Sequence, residues 1–205
     1  MSYNYISLGY DCSPASALRT LNLRDYALPF DWISSSTQIL KKCLETNFEN
    51  FHKNIYINKT HTRIIDSYGF EYPHDYPLIT SNDFQNQIGE GIFDEGVGKV
   101  ICSNWQDYHN IVLDKYNRRI ERFRNIIKDN KPIIVLCRYY THDVIELQKI
   151  FMEVYNIDNI YFVNSSYDEF ENDKIKNVYT EKNNIWNESN LWKQGIDDII
   201  LKINK

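Results

Sequence analysis

With 205 residues, 42% of them hydrophobic and 25% charged, the chain can bury the core of one ordinary domain and lies outside the low-hydrophobicity, high-charge regime of disordered sequences. Its net charge of −5 argues against a protein that lives on phosphate backbones, where affinity comes from Lys and Arg releasing counterions. The opening residues lack a basic start followed by an apolar run, and no window reaches the length of a membrane span, so one domain over residues 1–205 is expected in the cytoplasm, with neither nucleic acid nor membrane as partner.

Tyr3 to Leu8 is rich in β-formers and is broken by Gly9, which predicts a short first strand. A helix should follow, with Ser13 as N-cap and Pro14 in the first helical position, where its missing N–H costs nothing. Leu28-Pro29-Phe30-Asp31-Trp32 reads as an extended aromatic turn. The serines at 34–36 can cap a second helix through about Thr46, with Ile39, Leu40, Cys43 and Leu44 on one face. Residues 55–75 read as a β-rich insertion in which Arg63–Asp66 and Phe70–Tyr72 pair as a hairpin around Ser67-Tyr68-Gly69, delivering Pro73-His74-Asp75-Tyr76 at its exit.

Residues 80–99 are polar and carry no clear period. Asp107 to Lys128 is the strongest helix, with Val112, Tyr116, Ile120, Phe123 and Ile127 as its apolar stripe and Lys115, Arg118, Arg119 and Arg122 on a solvated face. Pro132 to Leu136 and Ile160 to Val163 are continuous apolar runs, the pattern of strands buried on both faces, and a helix from Thr141 to about Tyr155 joins them. A last helix spans 190–203. This order predicts an α/β fold: a mostly parallel, doubly wound, Rossmann-like sheet with helices on both faces.

The four cysteines are scattered singly, without a Cys-x-x-Cys pair, and should be free thiols. Cys43 and Cys137 fall in apolar patterns and read as small core residues. Cys12 differs by position, because it follows a strand and a glycine turn and precedes a helix, whose free N–H groups favour thiolate and could hold an oxyanion. A thiolate enzyme also needs an imidazole to shuttle the proton and a polar group to steady it. His74 is the best placed of five histidines, in a segment stiffened by Pro73 and Pro77. His52 and His61 sit in polar, exposed-looking sequence, and His109 and His142 near helix starts. Asp75, Asp31 and Asp11 are the available orienters, although a carboxylate beside Cys12 would raise the thiol pKa. Arg138, ending an apolar strand, lies where α/β proteins hold ligands.

Other chemistries lack their spacing. The phosphatase loop Cys-x5-Arg fails by one residue, since Leu18 stands where Arg19 would be needed. No Asp-x-x-His, nucleotide glycine loop or metal-ligand cluster is present, so no cofactor and no metal are expected.

Tyr5-Ile6-Ser7-Leu8-Gly9 with Cys12, Pro29-Phe30-Asp31-Trp32, Tyr68-Gly69 with His74-Asp75, Tyr116 with Arg118-Arg119-Ile120, and the Ile133–Arg138 strand together resemble a family of domains of unknown function described as papain-like cysteine peptidases, found in bacteria and large DNA viruses. The resemblance implies Cys12 as nucleophile and His74 as base, in the Cys-then-His order of papain-like enzymes. The chain departs from papain in having no glutamine ahead of Cys12 and in its parallel α/β half. The expected function is therefore a thiol hydrolase that cleaves a peptide or related acyl bond, with Cys12, His74 and Asp75 as catalytic residues and Asp11, Asp31, Trp32 and Arg138 supporting them or binding substrate. The rival is a non-covalent small-molecule or glycan-related enzyme or binding module using the strand ends, which a His74 more than about 6 Å from the Cys12 sulfur would favour.

Overall fold

The computed structural model describes residues 2–80, 99–179 and 189–205. Strand β1 (Asn4–Leu8) leads through Gly9 into helix α1 (Ser13–Thr20), followed by α2 (Thr37–Glu45), a three-stranded antiparallel sheet of β2 (Tyr56–Ile57), β3 (Ile64–Ile65) and β4 (Glu71–Tyr72), and the antiparallel pair β5 (Leu78–Thr80) and β6 (Lys99–Ile101). A 3-10 turn, Trp105–Tyr108, opens the long helix α3 (His109–Lys128). Then come β7 (Ile133–Cys137), α4 (Thr141–Tyr155), β8 (Ile160–Ser166), β9 (Ile175–Tyr179) and α5 (Ser189–Ile203).

The main sheet is parallel throughout, in the order β1-β7-β8-β9, with Leu8 level with Cys137 and Cys137 level with Asn164. β7 is buried at every residue, and its alternation divides the interior in two. Ile133, Val135 and Cys137 join the larger core with α2, α3 and α4, while Ile134 and Leu136 join Leu18, Trp192, Ile196 and Ile199 from α1 and α5. The helices thus cover both faces, as the sequence predicts. Gly195 lets α5 lie close on the sheet, because a Cβ there would stand 2.6 Å from Val163 and 2.7 Å from Val178.

β9 is not foreseen from the sequence. Residues 167–174 connect it to its parallel neighbour β8, fewer than the dozen or so residues such a crossover usually takes, and no helix announces it. The predicted residue 80–99 stretch lies mostly outside the described residues.

The hairpin forms where expected, with Ile64 opposite Tyr72 and Ile65 opposite Glu71. Its turn is organised by the buried Asp66 carboxylate, which accepts from the N–H groups of Tyr68, Gly69 and Phe70 at 3.0 Å and from the Tyr72 hydroxyl at 2.8 Å. An aromatic core ties this sheet to the rest. The Phe30 ring, from the Pro-Phe-Asp-Trp turn, lies 5.4–5.9 Å from those of Phe48, Phe51, Phe70 and Phe123. These contacts hold the hairpin against β1 and α3, and so fix where its exit segment can lie.

Candidate active site

Gly9 sets the path from β1 into α1. A Cβ there would come within 2.8 Å of the Phe30 carbonyl oxygen and 3.0 Å of that of Ile33, so only glycine lets the aromatic turn close against the strand end. The Gly9 carbonyl accepts hydrogen bonds from Ser35 and Tyr139. The turn is locked by Asp31, which is 1% exposed and accepts from Ser7, from Arg24 and from the Leu28 N–H at 2.8 Å. Asp31 therefore fixes the scaffold that carries Cys12, and its hydrogen bonds go to Ser7, Arg24 and Leu28.

Cys12 emerges from this locked turn as the N-cap residue of α1, and Ser13, expected as the cap, is the first helical residue. Its sulfur lies 3.6 Å from His74 Nε2, within reach for so large an atom and inside the limit that separates a Cys–His pair from the non-covalent rival. Two residues 62 positions apart are thus brought together. His74 is exposed, whereas Cys12 is buried, with 7% of its surface accessible.

The two residues that follow His74 are pinned. Asp75, only 4% exposed in its side chain, accepts from the fully buried Tyr116 hydroxyl at 2.7 Å and pairs with Lys115. Tyr76 bonds His52 Nε2 at 2.9 Å. Asp75 points into α3, where its partners are Lys115 and Tyr116. It holds the segment that presents the imidazole. Lys115, expected on a solvated face, is drawn inward by this carboxylate, and Arg119 covers the Tyr116 ring at 5.1 Å.

The electrostatics differ from the sequence expectation. Burial, and next the adjacent Asp11, push the Cys12 thiol up to about 11; Asp75 and Asp31 act in the same sense, and Arg63 opposes them. The helix mouth is already served: Asp11 accepts from the Ser13 N–H at 2.8 Å and from the Ser13 hydroxyl at 2.6 Å, and Pro14 has no N–H to offer. The Cys12 sulfur is thereby held toward its thiol form.

Arg138 reaches Asp11 at 2.8 Å and lies over the Tyr10 ring at 5.8 Å, joining the strand end to the loop that carries Cys12. Trp32 has φ 63, a left-handed conformation for a bulky residue, and its ring is covered by the Arg19 guanidinium at 4.8 Å. It lines a small cleft with Ala15, Arg24 and Tyr26.

Sequence reasoning passes over two features. Arg63 is the cation nearest in effect to the sulfur, and the hairpin register could have found it, since Ile64 opposite Tyr72 sets Arg63 opposite Pro73, beside His74. His52 is fully buried instead of exposed, stacked 5.5 Å from His109, with the Nδ1 atoms of both rings buried and unpartnered. Its polar sequence neighbours conceal the aromatic packing that encloses it. Cys43 and Cys137 are fully buried as expected, and all four cysteines are free thiols. Among the described residues no cluster of three or more potential metal ligands occurs, and no helix is long and apolar enough to cross a membrane.

An α/β scaffold that holds a cysteine at a strand-to-helix turn and an imidazole against it defines a protein with a thiol–imidazole site. Residues 3–159 match the model of the family described as "Putative papain-like cysteine peptidase" (DUF1796), and the chain belongs to that family. No curated protein and no solved structure matches the chain.

Proposed function

We propose that the protein is a thiol hydrolase that cleaves a peptide or isopeptide bond through Cys12 and His74. The observation that carries this reading is the 3.6 Å approach of Cys12 Sγ to His74 Nε2, supported by the family to which the chain belongs. His74 Nε2 takes the thiol proton as the sulfur attacks the carbonyl carbon. The carbonyl π-pair moves to oxygen, and a tetrahedral oxyanion forms. His74 then gives the proton to the leaving amine, the carbon–nitrogen bond breaks, and a thioester remains on Cys12. Water, deprotonated by His74, adds to the thioester, and the thiol leaves with a proton to close the cycle.

Arg63 offsets the carboxylates around the sulfur and favours the anionic states of this sequence. Asp75 is a positioning residue, acting through the backbone of His74 from its bonds to Tyr116 and Lys115. Hydrolysis of a mixed set of fluorogenic peptide and isopeptide substrates tests the reading. Activity should vanish in both Cys12→Ala and His74→Ala, and hydrolysis that survives Cys12→Ala overturns it.

A further inference from the structure

A cleft of about 290 Å³ opens over the carboxyl ends of β7 and β8, next to the loop that carries Cys12. Tyr10, Tyr140 and Tyr167 line it, exposed by 53%, 70% and 61%, an unusual share of aromatic surface to leave in water around one hollow. Its base includes the buried Ser165 and Ser166 and the strand-end residue Arg138. Arg138 ties the cleft to the candidate site directly, because its guanidinium holds Asp11, the residue before the nucleophile, at 2.8 Å.

We infer that this cleft receives an uncharged, bulky side chain, aromatic or branched aliphatic, from the residue flanking the scissile bond of a peptide substrate. The inference rests on the thiol-hydrolase reading and adds the substrate class. Three observations lead to it. Size comes first: the volume falls just below the roughly 300–1,000 Å³ of sites for drug-sized ligands, so it suits one side chain rather than a longer segment. Charge comes second. Among the described residues the cleft presents one cation and one carboxylate, and both are already paired, Arg138 with Asp11 and Asp143 with Lys41 at 3.5 Å, so a charged guest would have to break an existing pair. The third is surface chemistry, since tyrosine rings offer apolar faces with polar tips to a guest that buries area without bringing charge.

Covalent labelling of Cys12 reads this preference without knowledge of the natural substrate. Acylated amino-acid chloromethyl ketones with Phe, Lys or Glu side chains alkylate a thiol with loss of chloride, and iodoacetamide does so with no side chain to place. For each ketone the rate at Cys12 is divided by the iodoacetamide rate on the same protein. In the native chain the ratio for Phe should exceed those for Lys and Glu by about tenfold, the scale of a hydrophobic pocket's discrimination. In Tyr140→Ala/Tyr167→Ala, which truncates two rings already more than half exposed, the three ratios should converge. Equal ratios in the native chain, or a Phe preference that survives the double substitution, overturn the inference.

The underlying reading fails differently. If iodoacetamide modifies Cys12 equally well in native and His74→Ala protein, the thiol–imidazole pair is idle. The cleft is then judged on Cys12→Ala protein by titration with N-acetylphenylalaninamide: saturable binding lost in Tyr140→Ala/Tyr167→Ala upholds the apolar cleft, and no binding overturns it.

Discussion

Cys12 is a thiol that the fold makes harder to ionise. Burial and the Asp11 carboxylate push it up to about 11, so in His74→Ala protein, where no imidazole assists, its alkylation rate should keep climbing through about pH 10 instead of levelling near neutrality. Asp11→Asn should move the profile toward lower pH and Arg63→Met toward higher pH, both read from rates against pH. A plateau near neutrality in His74→Ala protein contradicts this. At this scale the sequence points to two residues that the structure places side by side, but to the wrong field around them. Strand, glycine and helix start single out Cys12, and the prolines single out His74. That the first-turn amide of Ser13 would be spent on Asp11 depends on a local loop conformation that no periodicity encodes.

Two elements bear the site, and each has a residue that should break it. Gly9→Ala would drive a Cβ against two backbone carbonyls that cannot swing aside, so a loss of about 1–3 kcal/mol is expected in denaturant unfolding, together with slower labelling of Cys12. Tyr116→Phe removes one hydroxyl without opening a cavity and leaves the buried Asp75 short of a donor, a loss of about 1–3 kcal/mol. If Asp75 positions His74, Tyr116→Phe should also slow labelling of Cys12 by the bulky ketones and by iodoacetamide alike. A stability loss with no change in either rate would leave Asp75 a purely structural group. The elements themselves are legible wherever a period or a turn residue marks them: the long α3, the apolar β7 and β8, and the hairpin around Gly69 all form as read. β9 escapes, because Ile175-Lys176-Asn177-Val178-Tyr179 is short, half polar and reached without a crossover helix.

Across the whole molecule, the aromatic packing that seals the hairpin to the sheet also encloses His52, and this makes stability depend on pH. Burial, and next the neighbouring His109, push His52 down to about 4. The unfolded chain then binds the extra proton between about 6.5 and 4, so the stabilisation is complete above pH 6.5 and is lost as pH falls through 4. The difference is on the order of 3 kcal/mol, and it should flatten in His52→Gln, where thermal melts from pH 7 to 4 would show a shallower fall than in the native chain. A parallel decline in both proteins would assign the acid sensitivity elsewhere. None of this is visible along the chain, since the partners of His52 come from β4, the exit segment and α3. The same long-range closure creates the Cys12–His74 pair, on which the functional account stands. Its most direct test is the iodoacetamide labelling rate of each of the four cysteines at pH 7, read by peptide mass spectrometry in native and His74→Ala protein. Cys12 should react fastest in the native chain and slow by about 10²-fold when the imidazole is removed, whereas an unchanged Cys12 rate in His74→Ala would contradict the account.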